Sequence, residues 1–229
     1  MNDLINKIHQ GDCLEFMKQI PDKYFDLVLT DPPYGLGDRL SSGGGQLKDR
    51  AFKQLYLNSE WEDVKPSPEI FTEIFRISKN QIIWGGNYFD LPPARGFICW
   101  DKIQYMPTLS ACEYAWTSFD KPAKIFAIRS TDLNRFHPTQ KPVELMKFCL
   151  NYAKVSPSHK VFDPFMGSGT TAVACEELGL QWAGCELDDK FYKLANKRLK
   201  TIQPDMFGVQ HITTTDTDNL QQEVKNDNS

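Results

Sequence analysis

Short apolar runs alternate along the chain with stretches whose apolar residues recur at helical spacing. Residues 25–30 (FDLVLT), 81–84 (QIIW), 97–100 (FICW), 113–116 (EYAW), 160–162 (KVF) and 181–185 (QWAGC) are short runs, mostly flanked by Gly, Pro or Asp, and read as buried strands. Between them, 68–78 puts Ile70, Phe71, Ile74, Phe75 and Ile77 on one helical stripe, and 142–153 does the same with Val143, Leu145, Met146, Cys149 and Leu150. Both stretches open on proline, a residue suited to the first helical turn because it has no N–H to leave unpaired. A third helix is expected from Thr170 or Thr171 to Gly179, and a fourth over about 189–202, before Pro204. Such alternation predicts a parallel α/β sheet with helices on both faces. Residues 35–45, rich in Gly, form the one long segment without periodicity.

Composition narrows the class. Of 229 residues 41% are hydrophobic and 24% charged, and no apolar run reaches the roughly 18 residues that a spanning helix needs, so a soluble globular chain without a membrane partner is expected. The start, MNDLINKIHQGD, lacks a basic segment followed by an apolar one, which points to the cytoplasm. Six cysteines without a C-x-x-C pair and four histidines without ligand spacing predict free thiols and no metal site. The net charge of -4 weighs against a nucleic-acid partner only until it is divided. Residues 205–229 carry five acids against Lys225 alone, which accounts for all of it. That polar tail has too little apolar surface to offset its ordering entropy and is expected to be disordered. Residues 119–141 are locally +3 and residues 36–57 locally +2, so two basic segments are candidates for phosphate contact.

Two motifs carry chemistry. The run KVFDPFMGSGTTA is a strand, then Gly167-x-Gly169-x-x-Ala172, then a helix, with Glu186 at the end of the next strand. Glycines let a backbone approach a ligand, a helix N-terminus presents N–H groups to an anion, and an acid at that position accepts bonds from ribose hydroxyls. The pattern fits an adenosine-type ligand, whether a nicotinamide dinucleotide or S-adenosylmethionine. The second motif is Asp31-Pro32-Pro33-Tyr34, which closes the 25–30 run. Two prolines stiffen the backbone and leave carbonyls as acceptors, and Tyr34 adds an aromatic face. The Asp31 carboxylate and the Pro32 carbonyl can hold both hydrogens of a flat amino group while Tyr34 stacks on the ring that bears it.

Taken together, Asp31-Pro-Pro-Tyr34 and Asp163-Pro-Phe-Met-Gly-Ser-Gly169-Thr resemble the DNA amino-methyltransferases. Because the Asp31 motif precedes the Gly loop, the resemblance is to the permuted beta-class. It spans about residues 5–200 and includes Trp84-Gly-Gly-Asn-Tyr-Phe89, Trp100-Asp-Lys102, His137-Pro-Thr-Gln-Lys-Pro142 and Gly11-Asp12-Cys13. It implies a Rossmann-like class I methyltransferase fold: a mostly parallel seven-stranded sheet with helices on both faces and a permuted motif order. One catalytic domain over 1–204 is expected, with small target-recognition loops at about 36–60 and 119–136.

The implied reaction moves a methyl group from S-adenosylmethionine to the N6 amine of adenine in double-stranded DNA, with the base flipped onto Tyr34. Asp31, Pro32, Pro33 and Tyr34 are the implied catalytic residues, with Asn87 and Tyr88 near the pocket. For the cofactor the resemblance assigns Gly167, Ser168, Gly169, Thr170 and Thr171 to the methionine moiety, flanked by Phe165, with Glu186 and the adjoining Leu187 at the ribose and Asp12 and Cys13 at the adenine. Lys141 and Thr139 are added donors for the cofactor carboxylate, and Asp163 or Asp31 takes its ammonium. Cytosine N4 methylation is the nearest rival, although Asp at the first motif position leans to adenine and Ser to cytosine. An RNA or protein-glutamine substrate and a nicotinamide oxidoreductase are more distant. His137 is read as structural or phosphate-contacting, Trp61, Trp84 and Trp100 as core or pocket-wall aromatics with core favoured, and a Cys13 nucleophile is rejected. The small size predicts a short or relaxed target. The resemblance admits a cognate restriction endonuclease as a second partner and either a monomer or a homodimer.

Overall fold

The computed structural model describes residues 4–36, 64–104, 110–129, 140–204 and 210–212. In chain order the elements are β1 (Lys7–Gln10), α1 (Cys13–Met17), β2 (Phe25–Thr30), α2 (Pro68–Ile77), β3 (Ser78–Trp84), β4 (Phe97–Asp101), β5 (Cys112–Thr117), β6 (Lys124–Ala127), α3 (Val143–Ala153), β7 (Lys160–Asp163), α4 (Thr170–Glu177), β8 (Gln181–Glu186) and α5 (Asp189–Lys200). A two-stranded antiparallel ribbon follows, β9 (Ile202–Pro204) with β10 (Gln210–Ile212), so three residues of the 205–229 segment are paired.

Among the described residues the main sheet has eight strands, in the order β1-β8-β7-β2-β3-β5-β4-β6. Every neighbouring pair is parallel except the two that β5 makes with β3 and β4, so β5 alone runs backwards. The sheet is therefore mostly parallel, as expected, with one strand more than the seven predicted. β1 carries no apolar run to reveal it and buries only Ile8, and β6, though its sequence is apolar at 125–127, is an edge strand with Lys124, Ile125 and Ala127 exposed.

The helices form where the apolar stripes are. α2 has Pro68 in its first turn and buries Phe71, Ile74 and Ile77, each worth about 1.5–3 kcal/mol when fully removed from water. α3 buries Leu145, Met146, Cys149 and Leu150 and stops where Lys154 turns left-handed, at φ 57°. Opposite faces of the central strands feed two cores. Leu27, Leu29, Ile82, Trp84 and Val161 pack with α3 and α4, whereas Val28, Ile83 and Phe162 pack with α1 and α2. Trp84 and Trp100 both lie in the first core, as read from the sequence, and Trp61 lies outside the described residues.

Chain order explains the site's place. After β2 the chain builds outward through β3, β5, β4 and β6, then returns by α3 to β7 on the other side of β2. β2 and β7 thus flank the point where the winding reverses, where open α/β sheets bind ligands at the carboxyl ends of their strands. Asp31 follows β2, Asp163 ends β7, Glu186 ends β8, Asp12 lies two residues past β1, and Gly85 follows β3.

Candidate functional site

The Gly loop is held from beneath. Asp163 is buried and accepts three hydrogen bonds: from Thr30 Oγ1 at 2.7 Å, Thr171 Oγ1 at 2.6 Å and the Phe165 N–H at 3.0 Å. It ties the end of β2 and the first turn of α4 to β7. Burial pushes its carboxyl up to about 6, against the pull of those three donors. Arg198 of α5, also buried, donates through Nη1 to the Ser168 carbonyl and to Thr170 Oγ1, both at 3.0 Å, and Ser168 Oγ bonds Thr170 Oγ1 at 3.0 Å. Thr170 and Thr171 therefore spend their hydroxyls inside the protein, and what they offer a ligand is backbone. Gly169 precedes α4 at φ 76°, and a Cβ there would press to 3.2 Å on the Cβ of Ala195. Arg198 carried no recognisable motif; its only sequence signal is a basic residue in the last turn of an amphipathic helix.

The acids at the other strand ends keep acceptor capacity. Glu186 Oε2 accepts from the Gly167 N–H at 2.7 Å and Oε1 from the Asp188 N–H at 2.9 Å, which leaves one further lone-pair direction on each oxygen. Burial raises its carboxyl above the usual range. Asp12 caps α1 through Oδ1, which accepts from Leu14 N at 2.7 Å and Glu15 N at 3.2 Å. Cys13 is buried, and burial with the charge of Asp12 pushes its thiol up to about 12, the opposite of what a nucleophile needs. Phe165 is partly buried against the α1–α2 core, and Leu187 is largely exposed.

At the end of β2 the Asp31 motif folds back on itself. Tyr34 donates to Asp31 Oδ1 at 2.6 Å. Its ring stacks on Tyr88, with centroids 4.7 Å apart and planes 17° from parallel, and meets Phe89 edge-on at 6.2 Å. Gly85 makes room for that ring: φ is 67°, and a Cβ would come within 2.1 Å of Tyr34 Cε1. Pro32 is buried beneath the motif, Pro33 half-buried, and Asn87 exposed beside Tyr88.

The sequence did not reveal what lies behind Asp31. Lys141, 4% exposed, donates to Asp31 Oδ2 and lies 3.1 Å from Glu113 Oε2. Glu113 Oε1 is in turn 2.5 Å from Lys102 Nζ. Lys141 Nζ also sits over the rings of Trp84 and Tyr34, at 5.4 and 5.8 Å. Thus Lys102, Glu113, Lys141 and Asp31 form a chain of alternating charge. Burial disfavours the charges of Asp31, Glu113 and Lys141. For Glu113 the two ammonium groups prevail and hold the carboxyl down at about 2. Lys141 is raised, its two carboxylates outweighing burial. Asp31 is raised by burial and by Glu113, with Lys141 and Tyr34 opposing. Two partly buried carboxylates thus engage the Lys141 ammonium, which has a third N–H to offer, and Asp163, besides bracing the loop, keeps a lone pair on Oδ2. Thr139, His137, residues 37–60 and residues 130–136 fall outside the described residues, whereas residues 119–129 are described and contribute β6.

Comparison with known proteins agrees with this geometry. The N6/N4 methyltransferase family model, described as DNA methylase, matches residues 99–197. The chain is 26% identical to the type II methyltransferase M.HinfI of Haemophilus influenzae, covering 89% of this chain and 71% of that protein. It is 29% identical to M2.DpnII of Streptococcus pneumoniae, covering 83% and 88% respectively. Among solved structures, the cytosine-N4-specific PvuII DNA methyltransferase superposes with a TM-score of 0.57 at 15% identity, over 96% of this chain and 92% of that one. M1.HpyAVI in complex with S-adenosylmethionine gives 0.51 at 21%, over 84% and 98%. These two establish the Rossmann-like class I methyltransferase fold. The order of the motifs along the chain, the acids gathered at the strand ends and the matched family model converge on one likeness: over residues 99–197 the chain is similar to the N6/N4 DNA methylases, and its relatives of 26–29% identity are DNA methyltransferases.

Proposed function

We propose that the chain methylates the N6 amine of adenine in double-stranded DNA, with Asp31, Pro32 and Tyr34 acting on a flipped base. The observation that carries this is the Asp31 carboxylate at the switch point, held by Tyr34 and Lys141 with lone pairs to spare. An aromatic amine is a poor nucleophile because its lone pair is delocalised into the ring. Hydrogen bonds from its two hydrogens to Asp31 and to the Pro32 carbonyl draw the nitrogen toward tetrahedral geometry and localise that pair, and Asp31 can take the proton the amine sheds. The stacked Tyr34 and Tyr88 give the flipped ring an aromatic wall.

The residues present fit S-adenosylmethionine. Glu186 has acceptor capacity for ribose hydroxyls, the first turn of α4 offers N–H groups to a carboxylate, and Gly167 and Gly169, at φ 52° and 76°, bring the backbone close. Asp12 and Cys13 at the end of β1 border the adenine end, with Phe165, Ser168 and Leu187 along the rim. When bound, the cofactor supplies an electrophilic methyl group on a sulfonium.

Mass spectrometry of nucleosides from unmethylated duplex DNA, incubated with the protein and S-adenosylmethionine, is expected to yield N6-methyl-2′-deoxyadenosine. N4-methyl-2′-deoxycytidine would move the reading to the cytosine amine, which the same acceptor pair also fits. Gly85 offers a second check. Gly85→Ala puts a methyl group into the Tyr34 ring on a left-handed backbone, so kcat is expected to fall about a hundredfold as the aromatic wall shifts, with cofactor affinity unchanged. Steady-state kinetics beside cofactor-binding calorimetry would separate the two.

A further inference from the structure

Behind Asp31 the structure builds a partly buried relay from three separate elements, with Lys141 buried at its centre. Lys141 enters from the residue before the Pro142 cap of α3, Glu113 from the reversed strand β5, and Lys102 from just past β4. Backbone geometry fixes the last two: Glu113 registers with Trp100 across the β4–β5 ladder, and the Lys102 N–H donates to the Ala111 carbonyl at 2.9 Å. Lys102 Nζ is further held 5.2 Å over the Trp100 ring. Lys141 and Lys102 are 4% and 13% exposed, so ion pairing here is poorly screened by water.

We propose that Glu113 and Lys102 are positioning residues for Asp31: through Lys141 they set how strongly the catalytic carboxylate is neutralised and therefore how good an acceptor it is. The proposal rests on the functional reading above, in which Asp31 receives the hydrogens of the target amine. An acceptor for this reaction must satisfy two demands that conflict. It must stay ionised in a buried site, which needs a nearby cation, and it must remain basic enough to polarise an N–H bond, which a full ion pair would blunt. Lys141 alone would serve only the first. With Glu113 on its other flank the ammonium is shared between two carboxylates, and Lys102 then sets how much of the Glu113 charge is left to compete. Four groups act directly on Asp31 or its partners: Lys141 from the segment before α3, Glu113 from β5, Tyr34 from the motif itself, and Asp163 at the end of β7, whose field is felt across the β2–β7 pair. A brace that merely held the fold would give losses of one kind. The relay instead gives opposite signs, since removing the negative charge of Glu113 leaves Asp31 more neutralised and less basic, and removing the positive charge of Lys102 does the reverse.

The test uses the full chain with aspartate carboxyls labelled with carbon-13, the Asp31 resonance being identified by its absence in Asp31→Asn. In an NMR pH titration the Asp31 midpoint is expected to fall in Glu113→Gln and to rise in Lys102→Met relative to the wild type. In parallel, single-turnover methyl transfer from labelled S-adenosylmethionine to unmethylated genomic duplex DNA is expected to slow about tenfold in Glu113→Gln, with KM for DNA and cofactor unchanged and the acid limb displaced in the same direction as the midpoint. An Asp31 midpoint common to all three proteins would overturn the proposal. So would midpoints that move while the rates follow only loss of thermal stability. If Glu113→Gln does not fold, Lys102→Met carries the same decision with the opposite sign. Failure of the wild type to methylate DNA would remove the functional reading, while the NMR midpoints would still decide the relay.

Discussion

Replacing Asp31 by alanine will abolish methyl transfer and leave S-adenosylmethionine binding in place. The carboxylate stands at the end of β2, whereas the elements that fit the cofactor are the β7–α4 loop, Glu186 after it and the α1 cap at Asp12, and none of these uses Asp31 as a hydrogen-bond partner. Removal of one preorganised group that acts on the reacting atom costs about a hundredfold to a thousandfold, and Asp31 both orients the amine and receives its proton, so a fall of at least ~1,000-fold in kcat is expected. The fold should survive, because Lys141 retains Glu113 as a partner. Asp31→Asn is the sharper variant. It keeps the shape but turns a donor toward either the Lys141 ammonium or the amine, and it should be as inactive as alanine. Methyl incorporation beside cofactor-binding calorimetry checks both, and activity within about tenfold of wild type in either variant would mean that the amine finds its acceptor elsewhere.

How far the sequence goes is visible in these same residues. Asp31 and Glu186 were readable because each sits at a strand end flagged by Pro or Gly, and because local geometry alone carries their side chains to the ligand edge of the sheet. Asp163 carries the same flag, but the bonds that hold it are not legible there. Its neighbours in space, Thr30 and Thr171, lie 133 and 8 residues away, and only the pairing of β2 with β7 brings both hydroxyls onto one carboxylate. Lys141 was singled out, but its pairing with Glu113 was not legible, for a similar reason. Glu113 lies 28 residues before it on a strand whose direction is reversed, and no periodicity in EYAW says that its acid faces inward beneath the motif. Elements followed the same rule. Helices α2 and α3 were legible from their stripes, α4 from the Gly loop before it and α5 from the Pro204 that follows it. By contrast α1 is only five residues long and is fixed by the Asp12 cap, and β6 is an exposed edge whose pairing with β4 is a property of the sheet and not of the segment.

The second large effect is expected from Lys141→Met, which removes the one cation shared by two buried carboxylates. Methionine fills much of the same volume between the Trp84 and Tyr34 rings, so the loss is mainly of charge. Breaking a buried ion pair by deleting one partner costs about 3–5 kcal/mol, since the remaining charge is left uncompensated. Glu113 still has Lys102, so the burden falls on Asp31. Its carboxyl, already raised by burial, should rise further. The sign then follows. An acid whose folded-state pKa lies above its unfolded value favours the fold fully only below the unfolded value, and that contribution is lost as pH rises through the folded one. The stability deficit of Lys141→Met against wild type should therefore be smallest near pH 4, widen as pH rises, and level off once Asp31 is ionised. Glu113 adds an offset of its own. Its carboxyl is held low in part by Lys141, so some of the wild-type advantage is present above the unfolded carboxylate range and fades as pH falls toward 2. Methyl transfer by the variant should move the other way, rising with pH as Asp31 loses its proton, with its acid limb displaced upward from that of the wild type. Urea unfolding and single-turnover rates measured over the same pH series would show whether the two curves share a midpoint. If stability and activity fell together at every pH, Lys141 would be a packing residue and the charge on Asp31 would have another origin.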